Sequence, residues 1–287
     1  MPATAIPTDL AAGSPDRFGY EWGEYVEMRP EYEEQFRRWV PSMQPEDWRD
    51  LTFLDAGCGM GRNSFWPMSY GAARCRSIDV DTRSLSSARN TLKPFKTAEV
   101  QQQSIYDIPP DGIFDVAFSI GVIHHLEHPE RAMKALVGAI RPGGRVLIWV
   151  YGLENNRWIV NFVSPVRKLL FGRLPISLVH HLSLYPTLLL WLWLRVRPGR
   201  IAYMRLLRDF TFRHLRSIVF DQMLPKIANY WSHDEVETLM KSAGLVDVEL
   251  SWVNEMSWSA SGRRAIRRSL SLNRVHPLQT NQRTNEH

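Results

Sequence analysis

Between residues 51 and 151 short apolar runs alternate with stretches whose apolar positions recur every three to four residues. The runs are 52–57 (TFLDAG), 76–80 (RSIDV), a weaker one at 98–100 (AEV), 114–120 (FDVAFSI) and 145–151 (RVLIWVY). The stretches near 61–70, 83–92 and 129–140 predict helices. Strands that alternate with helices form βαβ units and a parallel sheet. The near-continuous apolar character of 114–120 and 145–151 fits parallel strands buried on both faces. A helix is predicted at 31–40, ended by Pro41. Residues 152–231 break the rhythm, being rich in Leu, Trp and Arg without a strand signal. A helix at 233–243 stops at Gly244, and strands are predicted at 245–252 and 255–260.

Composition narrows the class. The chain has 287 residues, 44% hydrophobic and 23% charged, which excludes a mostly disordered or disulfide-scaffold protein. Two cysteines, Cys58 and Cys75, make no disulfide framework, and the first residues lack the basic and apolar regions of a secretory signal. A reducing, cytoplasmic setting is therefore expected. Charge is uneven: residues 1–150 hold 16 Lys/Arg against 20 Asp/Glu, and residues 151–287 hold 19 against 10. Attraction to anionic surfaces should come from the second half.

The densest chemical signal is LDAGCGMGR, residues 54–62. An apolar strand runs into Asp55, Gly57, Gly59 and Gly61 alternate, and a helix begins. Such a loop lets a ligand approach main-chain N–H groups. SIDVD (77–81) places Asp79 at the end of the next strand, where a carboxylate can accept from both ribose hydroxyls. A dinucleotide loop would have its third glycine where Arg62 stands, which argues for a nucleoside ligand without a pyrophosphate. Asp55 could then face a cationic amino-acid group, directly or through water.

The four runs LDAGCGMGR, SIDVD, FDVAFSIGVIHHL and IRPGGRVLIWVY together resemble the class I S-adenosylmethionine-dependent methyltransferases of the small-molecule type, which include ubiquinone and menaquinone methylases. The resemblance implies a Rossmann-like, doubly wound, mostly parallel seven-stranded α/β sheet with a helical insertion after the fifth strand. The chain divides accordingly into an N-terminal arm and lid (1–50), a core that binds S-adenosyl-L-methionine (51–151), the insertion (152–231), a segment completing the sheet (232–268) and a flexible tail (269–287). By the same resemblance Gly57, Gly59 and Gly61 cradle the methionine part and ribose, and Asp79 holds the ribose hydroxyls. The adenine contact falls on Ser104 and Ile105, which depart from the acid and small residue the family often has there, so the contact comes from the Ser104 hydroxyl or from backbone groups. Ile120 touches the cofactor. No metal site is expected.

For the chemistry, His125 and His124 follow the fourth strand at the sheet's carboxyl edge and are candidate bases. Either can equally pack beneath the loop or cap the next helix. Tyr151 ends the fifth strand at the same edge, where it faces the acceptor or is buried with a satisfied hydroxyl. Asp221 and Tyr230 are weaker candidates, and Tyr20 and Trp22 are candidate lid residues. Residues 174–194 carry no formal charge, yet prolines, histidines and polar residues interrupt them. They read as helices roofing an acceptor pocket, as a peripheral membrane contact reaching to residue 200, or as a span. Arginines recur at helical spacing over 195–216, which favours a solvated face over nucleic acid. The expected activity is methyl transfer to O, N or C of a small, hydrophobic or lipid-linked acceptor. The alternatives are an RNA or protein methyltransferase and a catalytically silent scaffold at the membrane surface.

Overall fold

The computed structural model describes residues 15–24, 28–197 and 202–266. The N-terminal segment 1–14, Arg200 and the tail beyond 266, all given roles from sequence, lie outside the described residues.

Seven strands form one sheet: β1 (Thr52–Ala56), β2 (Arg74–Asp79), β3 (Ala98–Gln102), β4 (Phe114–Ile120), β5 (Ile140–Tyr151), β6 (Leu245–Val253) and β7 (Ser257–Arg264). Their spatial order is β3-β2-β1-β4-β5-β7-β6. Neighbouring strands among β1 to β5 pair in parallel, while β7 runs antiparallel to both β5 and β6. The α/β sheet expected from sequence is thus present, and its strand order reverses between β1 and β4. Ligands in such sheets bind beyond the carboxyl ends of the strands at this reversal.

Alternation along the central strands explains the two-sided core. Phe53, Phe118 and Leu147 face one side and join Phe36 and Trp48. Leu54, Ala117 and Ile148 face the other and join Met133, Leu136, Val236 and Met240. The helices that cover these faces are α2 (Glu31–Trp39), α3 (Arg62–Ser69), α4 (Thr82–Leu92), α5 (Pro129–Ala139) and α11 (His233–Ser242); α1 (Pro15–Glu24) precedes them.

Two strand boundaries differ from the sequence reading. β5 begins at Ile140, because Ile140 pairs with Phe114 ahead of a register shift and the Pro-Gly-Gly stretch is taken up as an irregularity. β7 runs over Ser257–Arg264 instead of 255–260, because Asn254 and Glu255 form the hairpin turn with φ of 51° and 58°.

The insertion leaves the sheet at Gly152 and returns at Trp231, and these two residues form a bridge. It holds α6 (Ser164–Leu169), α7 (Ile176–Leu182), α8 (Leu184–Val196), α9 (Ala202–Arg208) and α10 (Phe212–Met223), with a π-helical turn, Ile159–Val163, before α6. Val179, Phe220, Met223 and Leu224 form one small core, and Leu194, Leu207 and Leu215 form a second. Helix α1 is fastened to this cap by Arg17, whose guanidinium donates to the carbonyls of Leu224 (3.1 Å), Phe171 (2.8 Å) and Leu174 (2.8 Å). Its Gly19 lies against the Asp81 carboxylate so closely that a side chain there would collide with it.

Candidate active site

The glycine loop is tied to the tip of β2. Gly57 and Cys58 donate their N–H groups to the Ile78 carbonyl at 2.8 and 2.9 Å. Gly59 N–H donates to Asp79 Oδ2 at 2.9 Å, and Asp81 N–H to Asp79 Oδ1 at 3.0 Å. A carboxylate has about four lone-pair sites, so Asp79 keeps acceptor capacity beyond these two bonds. Gly57 has φ of +83°, and a Cβ there would run into Val122. This backbone is open only to glycine and leaves a cradle free of side chains.

Gly57, Gly59, Asp79, Ile105 and Ile120 line a cavity of about 670 Å³ at the carboxyl edge of the sheet. Gly61 is absent from its wall. It starts α3 at φ +80°, and a Cβ would press on Ala88, so Gly61 lets α3 and α4 approach. Ser104 is also off the wall, because its hydroxyl accepts from Tyr106 N–H at 3.1 Å in a tight turn. The side of the wall expected from Ser104 is taken by Gln103 and Val80, which the sequence reading missed. Val80 lies within SIDVD beside Asp79, and Gln103 directly follows the end of β3.

Asp55 lies beneath the loop and off the cavity wall. Its Oδ2 accepts from the Ser64 hydroxyl at 2.6 Å, and Ser64 is in turn 2.7 Å from the Ser77 hydroxyl. Burial pushes the Asp55 carboxyl up to about 7. Asp55 thus serves a structural role under the turn, and of the two contacts with a ligand's amino group weighed from sequence, direct or through water, its place off the wall sets aside the direct one. The folded chain holds this proton to about pH 7, whereas the ordinary value is 3.8. Over that window the fold binds more protons than the unfolded chain, so stability falls as pH rises through it. Asp55→Asn is expected to flatten the decline of the urea midpoint between these pH values. An unaltered slope would place the titration elsewhere.

The histidine pair divides. Both rings are buried, but only His125 reaches the cavity. His125 Nδ1 lies 2.8 Å from the Ile227 carbonyl, which only accepts, so Nδ1 carries the proton and Nε2 presents a lone pair. Burial pushes its pKa down to about 4. His124 is turned behind the wall against the Tyr151 ring at 3.9 Å, with neither ring nitrogen hydrogen-bonded. Burial holds it well below the ordinary imidazole range. Its expected place as a base is corrected: the short 3-10 turn Ile123–His125 aims one ring outward and the other into the core.

Tyr151 is on the wall and also hydrogen-bonded. Its hydroxyl donates to Asp221 Oδ2 (3.2 Å) and accepts from Gln222 Nε2 (3.0 Å), while its ring stacks on Tyr230 at 5.3 Å. Burial, reinforced by the Asp221 charge, keeps the phenol well above its usual range. Tyr203, Asp221, Gln222 and Tyr230 share this end of the cavity. Tyr203 and Gln222 carried no signal in the sequence. From α1, Phe18 reaches the wall, whereas Tyr20 packs on His180 and Phe220 inside the cap. The Trp22 side chain lies outside the described residues. Cys58 is on the wall, its thiol pushed up by burial, and no group of three metal-binding side chains occurs among the described residues.

These residues fit a nucleoside bearing an amino-acid group: a side-chain-free loop, a carboxylate with acceptor capacity to spare, and apolar walls at Ile105 and Ile120. Residues 54–148 match the family model described as "Methyltransferase domain". The tRNA U34 carboxymethyltransferase of Actinobacillus succinogenes is 28% identical over 138 residues, which is 47% of this chain and 42% of that protein. The ubiquinone biosynthesis O-methyltransferase of Rickettsia felis is 24% identical over 176 residues, 60% of this chain and 65% of that protein. The chain thus spans less than two thirds of either relative. Among solved structures, the DhpI–SAH complex superposes with a TM-score of 0.58 at 14% identity, over 91% of this chain and all of that one, and shows the shared fold. The sheet order, the glycine loop and the family match together identify residues 54–148 as a methyltransferase domain of the class I, S-adenosylmethionine-dependent type.

Proposed function

We propose that the protein transfers a methyl group from S-adenosylmethionine to an oxygen, nitrogen or carbon of a small, hydrophobic or lipid-linked acceptor. The observation that carries this reading is one continuous cavity. It joins the glycine loop and Asp79 to a chamber walled by the insertion, including Trp158, Leu190, Leu207 and Phe210. Gly57, Gly59 and Asp79 would hold the donor, whose sulfonium supplies an electrophilic methyl group when bound. The chain's own task is then alignment and exclusion of water. Orientation alone accounts for up to roughly 7–11 kcal/mol of such barriers. Where the acceptor gives up a proton, His125 Nε2 is the lone pair offered to it, and Tyr151 and Gln222 supply polar points in an otherwise apolar chamber.

The arginines support a small acceptor over RNA. Arg216 of the basic run donates into the cap, to His180 O (2.7 Å) and Ser183 Oγ (3.3 Å), and Arg167, outside that run, is wholly buried, so both hold the fold together. The cell interior, beside a membrane, is the setting this acceptor class suggests.

The test is incubation of the protein and methyl-labelled donor with total metabolite and lipid extracts, read by mass spectrometry. A labelled, organic-soluble product is expected. Label appearing only in RNA or protein, or in nothing while the donor binds, would overturn the acceptor assignment.

A further inference from the structure

The outer side of α8 is as apolar as its inner side. Leu184, Tyr185, Leu188, Leu189, Leu192, Trp193 and Val196 are all exposed, Leu189 by 70% and Val196 by 79%. Their numbers fall into two adjacent rows four residues apart, which is one continuous helix face. Thr187 and Leu194 occupy the opposite face and are buried, at 0% and 2% exposure. The helix is therefore oriented by packing and not by polarity, and it leaves a broad greasy face in water. Soluble monomers seldom keep such a face uncovered.

We propose that this face of α8 docks flat on an anionic phospholipid surface, and that the cavity takes its acceptor from that surface. Charge identifies the occupant. Exposed Arg195 and Arg197 stand at the end of the helix, and Arg195 lies over the Trp191 ring at 4.4 Å. Across residues 155–220 eleven Lys/Arg face a single acid, Asp209. An apolar helix face beside a basic, tryptophan-bearing end is the pattern of interfacial binding to anionic lipid.

The same helices do not cross the bilayer in this fold. Ile176–Val196 is 21 residues long and apolar enough to span by length and composition. Its two segments, α7 and α8, join at Ser183 with the backbone still in αR geometry, and Arg216 of α10 holds that junction through Ser183 Oγ and His180 O. Spanning would strip Arg216 of these partners and pull Leu194 out of its core.

The second half of the proposal rests on the acceptor reading given above; the first half does not. Pro186 and Leu190 of α8 line the cavity, and Pro186 and Trp158 are both lining and exposed. They mark a mouth on the lipid-facing part of the cap, where an apolar acceptor can pass without entering water.

The experiment is co-flotation of the full chain with vesicles of phosphatidylcholine alone or mixed with phosphatidylglycerol, without donor or acceptor. Binding to the mixed vesicles is expected, weakened by salt. The double variant Leu189→Glu, Trp193→Glu should lose binding at least about tenfold through lost apolar burial. Arg195→Gln or Arg197→Gln should each lose roughly fivefold on anionic vesicles only. Both changes lie at exposed positions, and circular dichroism with a thermal midpoint checks the fold. No flotation of the folded wild type, or flotation unchanged in the double variant, would overturn the docking. So would a solution dimer that the double variant dissociates while vesicles bind neither protein. Donor binding is measured separately by calorimetry, so failure on vesicles leaves the methyltransferase reading standing, and the reverse.

Discussion

An Asp79→Ala protein is expected to bind S-adenosylmethionine about a hundredfold more weakly than the wild type, ~3 kcal/mol, with its fold intact. The magnitude follows from two hydroxyl donors that would share one carboxylate, since hydrogen bonds to charged groups each contribute about 1.5–3 kcal/mol. The same carboxylate also holds Gly59 N–H and Asp81 N–H, so its removal loosens the loop that makes the cradle. Asp79→Asn keeps the shape but turns part of an acceptor into a donor, and should fall between the two. Isothermal titration with the donor and with its demethylated product reads the effect. Affinity unchanged in a folded Asp79→Ala protein would remove Asp79 from the site and weaken the functional reading with it.

The second large effect is expected at His125. His125→Ala should lower turnover by about 10²-fold or more for an acceptor that loses a proton, with donor affinity unchanged. The split between the two readouts matters, because a merely structural role would disturb both. The pH profile gives an independent check. Burial pushes the imidazole down to about 4, so Nε2 stays unprotonated well below neutrality. Activity governed by His125 should hold as pH falls through 6.5, the ordinary value, and decline only towards about 4. Full turnover in His125→Ala would exclude the residue as an essential base.

The half of this cavity around the glycine loop was legible because its residues lie in unbroken runs. A strand, a glycine turn and a carboxylate at the next strand's end fix one another's positions, so Gly57, Gly59 and Asp79 could be placed without coordinates. Register failed where a hydroxyl was consumed locally. Ser104 stands at the right distance along the chain, but its side chain closes a turn onto Tyr106 N–H and cannot face outward. Gly61 sits in the same motif as its neighbours, yet serves helix packing. His124 and His125 are indistinguishable in one dimension, because the sense of a short 3-10 turn decides which ring reaches the cavity. The cap was legible only as a strandless segment. Helix α8 is apolar all round, so no periodicity tells which side meets the protein, and Tyr203 and Gln222 reach the cavity through contacts far apart in sequence.

Helix α1 touches both halves at once. Arg17 places one guanidinium against three carbonyls of the cap, while Gly19 rests on the carboxylate that begins α4. Lifting the helix off the cap would leave that buried cation and its three oxygens without partners, which makes separate movement expensive. The arm and the roof are therefore fastened as one piece, and the chain of that roof leaves and rejoins the sheet at the bridged pair Gly152 and Trp231. Any displacement of α1 therefore disturbs the cap and the start of α4 together.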